Sequence, residues 1–192
     1  MRRELFQASL LLGTLSFAAT AAQGQQVVHA LAGKVTAIYP ATNSIKIATD
    51  DGSMGLFEIM VKANTPLNFD KGVKAMTVPA GSFTKADDQV VLFFYGDDSV
   101  RTAVAVEDLG VSPLVKSVGT VVKLDKREHL LTIKNSDGVE ETFHIDAKTL
   151  GDGSQGVVKC DKFDLDKGAK VRVTAITENG AQTALFIRAL SL

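Results

Sequence analysis

Apolar and polar residues alternate with a period of two along most of the chain beyond residue 30. This period puts neighbouring side chains on opposite faces of an extended segment, so it predicts β-strands. The alternating runs are Ile45/Ile47, Phe57/Ile59/Val61, Val90/Leu92/Phe94, Leu131/Ile133, Phe143/Ile145/Ala147 and Val171/Val173/Ala175. Asp-Gly and Asn-Gly pairs at 51–52, 137–138 and 179–180 favour tight hairpins between runs. No segment beyond residue 24 has a helical period, and the pattern predicts an all-β protein.

The alternating pattern occurs twice. GKVTAIYPATNSIKIATDDG at 33–52 aligns without a gap to GTVVKLDKREHLLTIKNSDG at 119–138, and later positions match at an offset of 81 to 86 residues. In both copies the first strand breaks its period, with a spacing of three from Val35 to Ile38 and from Val121 to Leu124. A bulge or sharp bend would return both apolar residues to one face. A bent first strand, led by Gly33 or Gly119, favours a small closed barrel without exposed edges.

These features predict two tandem five- to six-stranded barrels related by internal duplication. The first is expected at residues 27–108 and the second at 117–192, with a linker at 109–116 that contains Gly110 and Pro113. Residues 1–24 have the basic start, apolar run and small residues of a cleaved signal peptide. We therefore expect export to the periplasm or the extracellular space. Arg2-Arg3 also fits the twin-arginine pattern, so the export route stays open.

Composition excludes several functions. A formal net charge of −1 lacks the basic footprint that nucleic acid requires. Beyond the signal peptide, no apolar run is long enough for a membrane span. The single Cys160 rules out an internal disulfide, and we interpret it as a small apolar residue. His29, His129 and His144 are scattered, and no nucleophile–base or paired-carboxylate arrangement has local support, so we expect no enzyme, no cofactor and no metal site.

The order of these signals resembles exported bacterial domains of unknown function that have an oligonucleotide/oligosaccharide-binding-like (OB-like) barrel and often occur in tandem. The strand rhythm is also similar to that of the small periplasmic copper/silver chaperones, which bind metal through a histidine, two methionines and a tryptophan. In this chain Ala48 or Lys134 begins the segment where that histidine would lie, and there is no tryptophan. Met54, Met60 and Met76 lack the family's Met-x-Met spacing. The resemblance implies the fold, and soft-metal handling is kept as the alternative function.

One strand is apolar on both faces. Val90 to Tyr95 is continuously apolar, whereas the matching run of the second copy keeps Arg172 and Thr174 on its outer face. Two-sided apolarity predicts burial on both sides. The outward-facing apolar residues are Val91, Phe93, Tyr95, Ile176 and Phe186. They either pack between the barrels or form a face for a partner protein, a glycan or an apolar ligand. We therefore expect a non-catalytic exported binding or assembly module.

Overall fold

The computed structural model describes residues 25–50, 54–59, 67–69, 73, 86–96, 101–110 and 113–190. The predicted signal peptide, residues 1–24, lies outside these ranges. The described residues form two closed five-stranded barrels and no α-helix, which confirms the predicted fold class. None of them belongs to an apolar helix of membrane-spanning length.

The described residues before position 111 form seven strands, and five of them build the first barrel. The strands are β1 (Gln26–Val27), β2 (His29–Tyr39), β3 (Ser44–Thr49), β4 (Met54–Ile59), β5 (Leu67–Asn68), β6 (Gln89–Gly96) and β7 (Arg101–Gly110). The barrel closes in the order β2-β3-β4-β7-β6. Its β4–β7 pair is parallel, and the other pairs are antiparallel. Strands β1 and β5 form a separate short parallel pair.

The second barrel repeats this order. Its strands are β8 (Val115–Asp125), β9 (Leu130–Asn135), β10 (Glu140–His144), β11 (Leu150–Gly153), β12 (Gly156–Lys159), β13 (Lys170–Glu178) and β14 (Ala181–Ala189). The closed set is β8-β9-β10-β14-β13, with β10 and β14 parallel. The hairpin β11–β12 extends the sheet from β14. The same strand order in both barrels is what a duplicated OB-like domain requires.

The predicted bulge in the first strand of each copy is present. The register between β2 and β3 shifts between Val35 and Ala37, and that between β8 and β9 shifts between Val121 and Lys123. The glycine before each bulge lies against the neighbouring strand. A Cβ on Gly33 or Gly119 would lie 2.6 Å from a carbonyl oxygen across the ladder. Each glycine therefore permits a close backbone approach where the barrel bends.

Each barrel has its own core, made from the alternating residues of the sequence pattern. The first core contains Leu31, Val35, Ile45, Ile47, Phe57, Val90, Leu92 and Phe94. The second contains Val121, Leu131, Ile133, Phe143, Ile145, Val171, Val173 and Ala175. The predicted hairpin turn at residues 179–180 is also present, with positive φ at both Asn179 and Gly180. The turn predicted at 51–52 lies outside the described residues.

The connection between the barrels is shorter than the predicted linker at 109–116. Strand β7 continues to Gly110, which pairs with Gln89, and β8 already begins at Val115, which pairs with Ala175. Strand pairing therefore includes both ends of the predicted linker. Gly110 was expected in the linker, but it occupies the last position of β7, where its φ is +81°.

Candidate ligand-binding groove

A third apolar cluster joins the two barrels. The first barrel and its short flanking segments contribute Val28, Ala30, Ala32, Val73, Val91, Phe93, Val104 and Ala105, and the second contributes Leu150, Val157 and Phe186. The amide of Val157 donates a hydrogen bond of 2.9 Å to the carbonyl oxygen of Val28. We call this cluster the inter-barrel interface. It is as well buried as the two barrel cores, so the barrels pack as one body.

The five residues of the predicted face divide between this interface and a neighbouring groove. Val91 and Phe93 have no exposed surface, Phe186 is 2% exposed, and Tyr95 packs half-buried against the same cluster. These four side chains pack at the inter-barrel interface, and the two buried phenylalanines offer no open surface for a ligand in this arrangement. Ile176 is half-buried and lies in the wall of the groove described below.

Two buried aspartates fix the relative orientation of the barrels. Asp152 of β11 has a fully buried side chain, and its Oδ1 lies 3.2 Å from Nδ1 of His29 in the first barrel. Its Oδ2 lies 3.8 Å from Nε of Arg188. A buried carboxylate needs such partners because desolvation otherwise disfavours its charge. The contact across the interface is directional, unlike the apolar packing around it.

The reciprocal contact uses an aspartate of the first barrel. The Asp50 side chain is 2% exposed, and its Oδ1 lies 2.6 Å from Nζ of Lys116 in β8. The hydroxyl of Thr174 donates a 2.8 Å hydrogen bond to Oδ2. Each barrel therefore contributes one buried carboxylate that contacts at least one polar group of the other barrel. These two contacts oppose sliding between the barrels, because ion pairs and hydrogen bonds are directional.

The groove lies beside the inter-barrel interface and has a volume of about 720 Å³. Its apolar wall residues with exposed surface come from both barrels and from the connection between them, and they are Leu109, Pro113, Leu114, Val115, Ile176 and Leu185. Leu185 lies at a bulge, because the β13–β14 register shifts where Thr174 pairs with Phe186 and Ala175 pairs with Ala184. Bulges often redirect a side chain near a functional site. Here the bulge leaves Leu185 half-buried at the groove while its two neighbours are buried.

The polar wall of the groove is acidic. It contains Glu107, Asp108 and Glu178 together with Lys148, which amounts to three carboxylates and one ammonium group. Burial raises the pKa of the half-buried Glu107 carboxyl, and this carboxylate forms no ion pair with a described residue, although Lys148 lies in the same wall. A desolvated carboxylate without a counter-charge is unfavourable, so this position favours a cationic group.

The candidate metal ligands of the sequence are histidines, a cysteine and methionines, and not all of them lie among the described residues. No group of three histidine, cysteine, aspartate or glutamate side chains among them could hold a metal ion. Met60 and Met76 lie outside the described ranges, and soft-metal handling stays a prediction. Cys160 belongs to the second core, is 2% exposed, and has its pKa raised by burial to about 11. His129 and His144 are exposed and separate from the groove.

Comparisons with known proteins find structural similarity to a small metal-binding barrel. The silver(I) complex of CusF aligns with 15% identity and a TM-score of 0.32, covering 41% of this chain and 99% of CusF. Apo-CusF from Escherichia coli aligns with 14% identity and a TM-score of 0.31, covering 40% of this chain and 87% of that one. A copper(II) complex of a CusF variant from the same organism aligns with 16% identity and a TM-score of 0.31. This alignment covers 40% of this chain and 90% of the CusF variant. No protein-family model and no curated protein matches the chain.

The polar contacts at the interface have almost no signature in the sequence. Its pattern places Asp50 in a solvated turn and gives His29 no partner. Strand parity places Thr174 on the outer face, and nothing in the sequence indicates that this position is buried, whereas in the structure it is 1% exposed. Hydrogen bonds between residues 124 positions apart, such as that between Thr174 and Asp50, leave no local signal in one sequence.

Proposed function

We propose that the chain is an exported, non-catalytic binding or assembly module whose ligand occupies the groove between the barrels. The observation that supports this most strongly is the groove itself, which is about 720 Å³ in volume and lined by apolar residues of both barrels. Ligand sites are commonly concave, largely apolar and about 300–1,000 Å³ in volume, with a few polar groups that set orientation. The groove has these properties.

In this proposal the ligand site requires both barrels of the tandem. Leu109 belongs to the first barrel and Ile176 and Leu185 to the second, so neither barrel alone forms the groove. The buried Asp50 and Asp152 contacts hold the two walls in place before a ligand arrives. Such preorganisation lowers the conformational entropy lost on binding.

Site-specific photocrosslinking in the cells that express the protein tests the groove. A photoreactive benzoylphenylalanine replaces Leu185, and a matched control replaces Val139, which is 56% exposed and away from the groove. We expect a discrete higher-mass adduct from position 185 that is absent from position 139. The proposal is wrong if both positions give the same adducts, or if neither gives any while a known crosslinking pair in the same cells does.

Export is tested separately. The N-terminal sequence of the protein recovered outside the cytoplasm is expected to begin just after Ala21 or Gly24, since small residues precede both bonds. Recovery of an uncleaved chain in the cytoplasm alone would contradict export and leave the groove unaffected.

A further inference from the structure

We propose that the groove binds an extended peptide segment of a partner protein in which one lysine or arginine lies between apolar side chains. In this complex the cation pairs with Glu107, and the apolar side chains pack on Leu109, Ile176 and Leu185. This inference rests on the proposed function, because it specifies the chemical class of the ligand for that groove. It is argued from the charges, the burial and the shape of the described walls.

The charge of the groove selects a cationic segment. Three carboxylates against one ammonium leave a formal charge of −2 in a cleft whose other walls are apolar. Low-dielectric walls strengthen this field within the cleft. An acidic peptide or a nucleic acid would be repelled, whereas a cationic side chain would be attracted.

Glu107 is the carboxylate that gains most from a partner. It pairs in register with Val91 in the β6–β7 ladder, at the border between the interface and the groove. Its side chain is partly desolvated, while Asp108 and Glu178 are exposed to solvent. The Asp108 carboxylate also accepts a 2.7 Å hydrogen bond from the amide of Gly110. A cation from the ligand would form the ion pair at the Glu107 carboxylate that the described residues, including Lys148, do not form.

The apolar walls require more than a free cation. Leu109 packs half-buried beside the interface cluster, and Ile176 and Leu185 are half-buried in the opposite barrel. Covering their remaining apolar surface removes it from water and so stabilises the complex. A segment with apolar side chains on both sides of its lysine or arginine can cover both walls and still place its charge at Glu107.

Two capped tripeptides test this inference on the ¹⁵N-labelled protein. N-acetyl-Leu-Lys-Leu-amide and N-acetyl-Leu-Glu-Leu-amide are titrated separately, and the amide shifts of Glu107, Ile176 and Leu185 give the site and the dissociation constant. We expect the lysine peptide to bind about fivefold more tightly, as one partly buried ion pair provides. The preference should shrink at high salt, which screens the pair.

Two variants separate the contribution of Glu107 from that of net charge. Glu107→Gln should bring the ratio of the two affinities close to one, while Glu140→Gln, an exposed change in β10, should leave it unchanged. Equal groove binding of both peptides by the unaltered protein would overturn the cationic preference and leave the proposed groove in place. If neither peptide shifts the groove amides up to its solubility limit, the inference fails, and the crosslinking result from position 185 decides separately whether the groove binds another class of ligand. A preference that survives Glu107→Gln would also overturn the assigned pairing.

Discussion

Substitution of Gly156 tests whether the inter-barrel interface is as tightly packed as the structure indicates. Gly156 begins β12 with a φ of +90°, and a Cβ there would lie 2.5 Å from the carbonyl oxygen of Val28 and 2.7 Å from Cγ1 of Val27. Both atoms belong to the other barrel unit. Gly168 provides a matched control, because its φ is +93° but a Cβ at that position would have no described atom within 4 Å.

The two alanine variants share one destabilising contribution and differ in another. A positive φ costs an L-residue about 1–2 kcal/mol, and this applies to Gly156→Ala and Gly168→Ala alike. In Gly156→Ala the Cβ must also displace the Val28 carbonyl, which accepts the 2.9 Å hydrogen bond from Val157. Leaving such a buried group unpaired costs about 1–3 kcal/mol. We therefore expect losses of about 2–5 kcal/mol for Gly156→Ala and about 1–2 kcal/mol for Gly168→Ala.

Urea unfolding followed by circular dichroism measures both losses, because the chain has no tryptophan to report by fluorescence. The informative quantity is the difference between the two variants, which isolates the contact between the barrels from backbone strain. A two-step transition in Gly156→Ala would further indicate that the barrels have been uncoupled. Equal losses in the two variants would refute the argument, since they would mean that the Val28 contact contributes nothing.

Three further predictions follow from burial and charge. Phe93→Ala should lower the free energy of unfolding by about 3–5 kcal/mol, because Phe93 has no exposed surface. The control Leu56→Ala, at a side chain that is 59% exposed, should change it by no more than about 0.5 kcal/mol in the same urea assay. Similar values for the two variants would contradict the packing. Burial raises the pKa of Glu107, so its ionisation destabilises the folded state as the pH rises. Glu107→Gln should therefore be more stable than the unaltered protein at pH 7, and the gain should vanish below about pH 4, where both states are protonated; a pH-independent difference would point to another cause. With a pKa of about 11, the Cys160 thiol should be ionised in roughly one molecule in a thousand at pH 8. A disulfide reagent should therefore label Cys160 at least about a hundredfold more slowly in the folded protein than after urea unfolding. Equal labelling rates would show that the thiol is accessible in the folded protein.

Much of the fold could be predicted from the sequence because β-barrels leave strong local signals. The period of two identified the core side of β3, β6, β9 and β13, and the spacing of three from Val35 to Ile38 identified the bulge. The Asn-Gly pair at 179–180 identified a hairpin through its demand for positive φ. Each of these features depends on residues only a few positions apart, and the internal repeat shows the alternation and the bulge twice.

The sequence also determined which strand had a second buried face, but not what would cover it. Continuous apolarity from Val90 to Tyr95 requires burial on both sides, and Phe93 would satisfy that requirement against either a partner or the second barrel. Only the tertiary structure places Phe186 and Leu150 in the same cluster. It also places His29 beside Asp152, and Thr174 beside Asp50. The groove follows from this docking, because its walls belong to strands that are remote in sequence. Their approach depends on the long-range packing of two finished barrels, which alternation within a strand does not record.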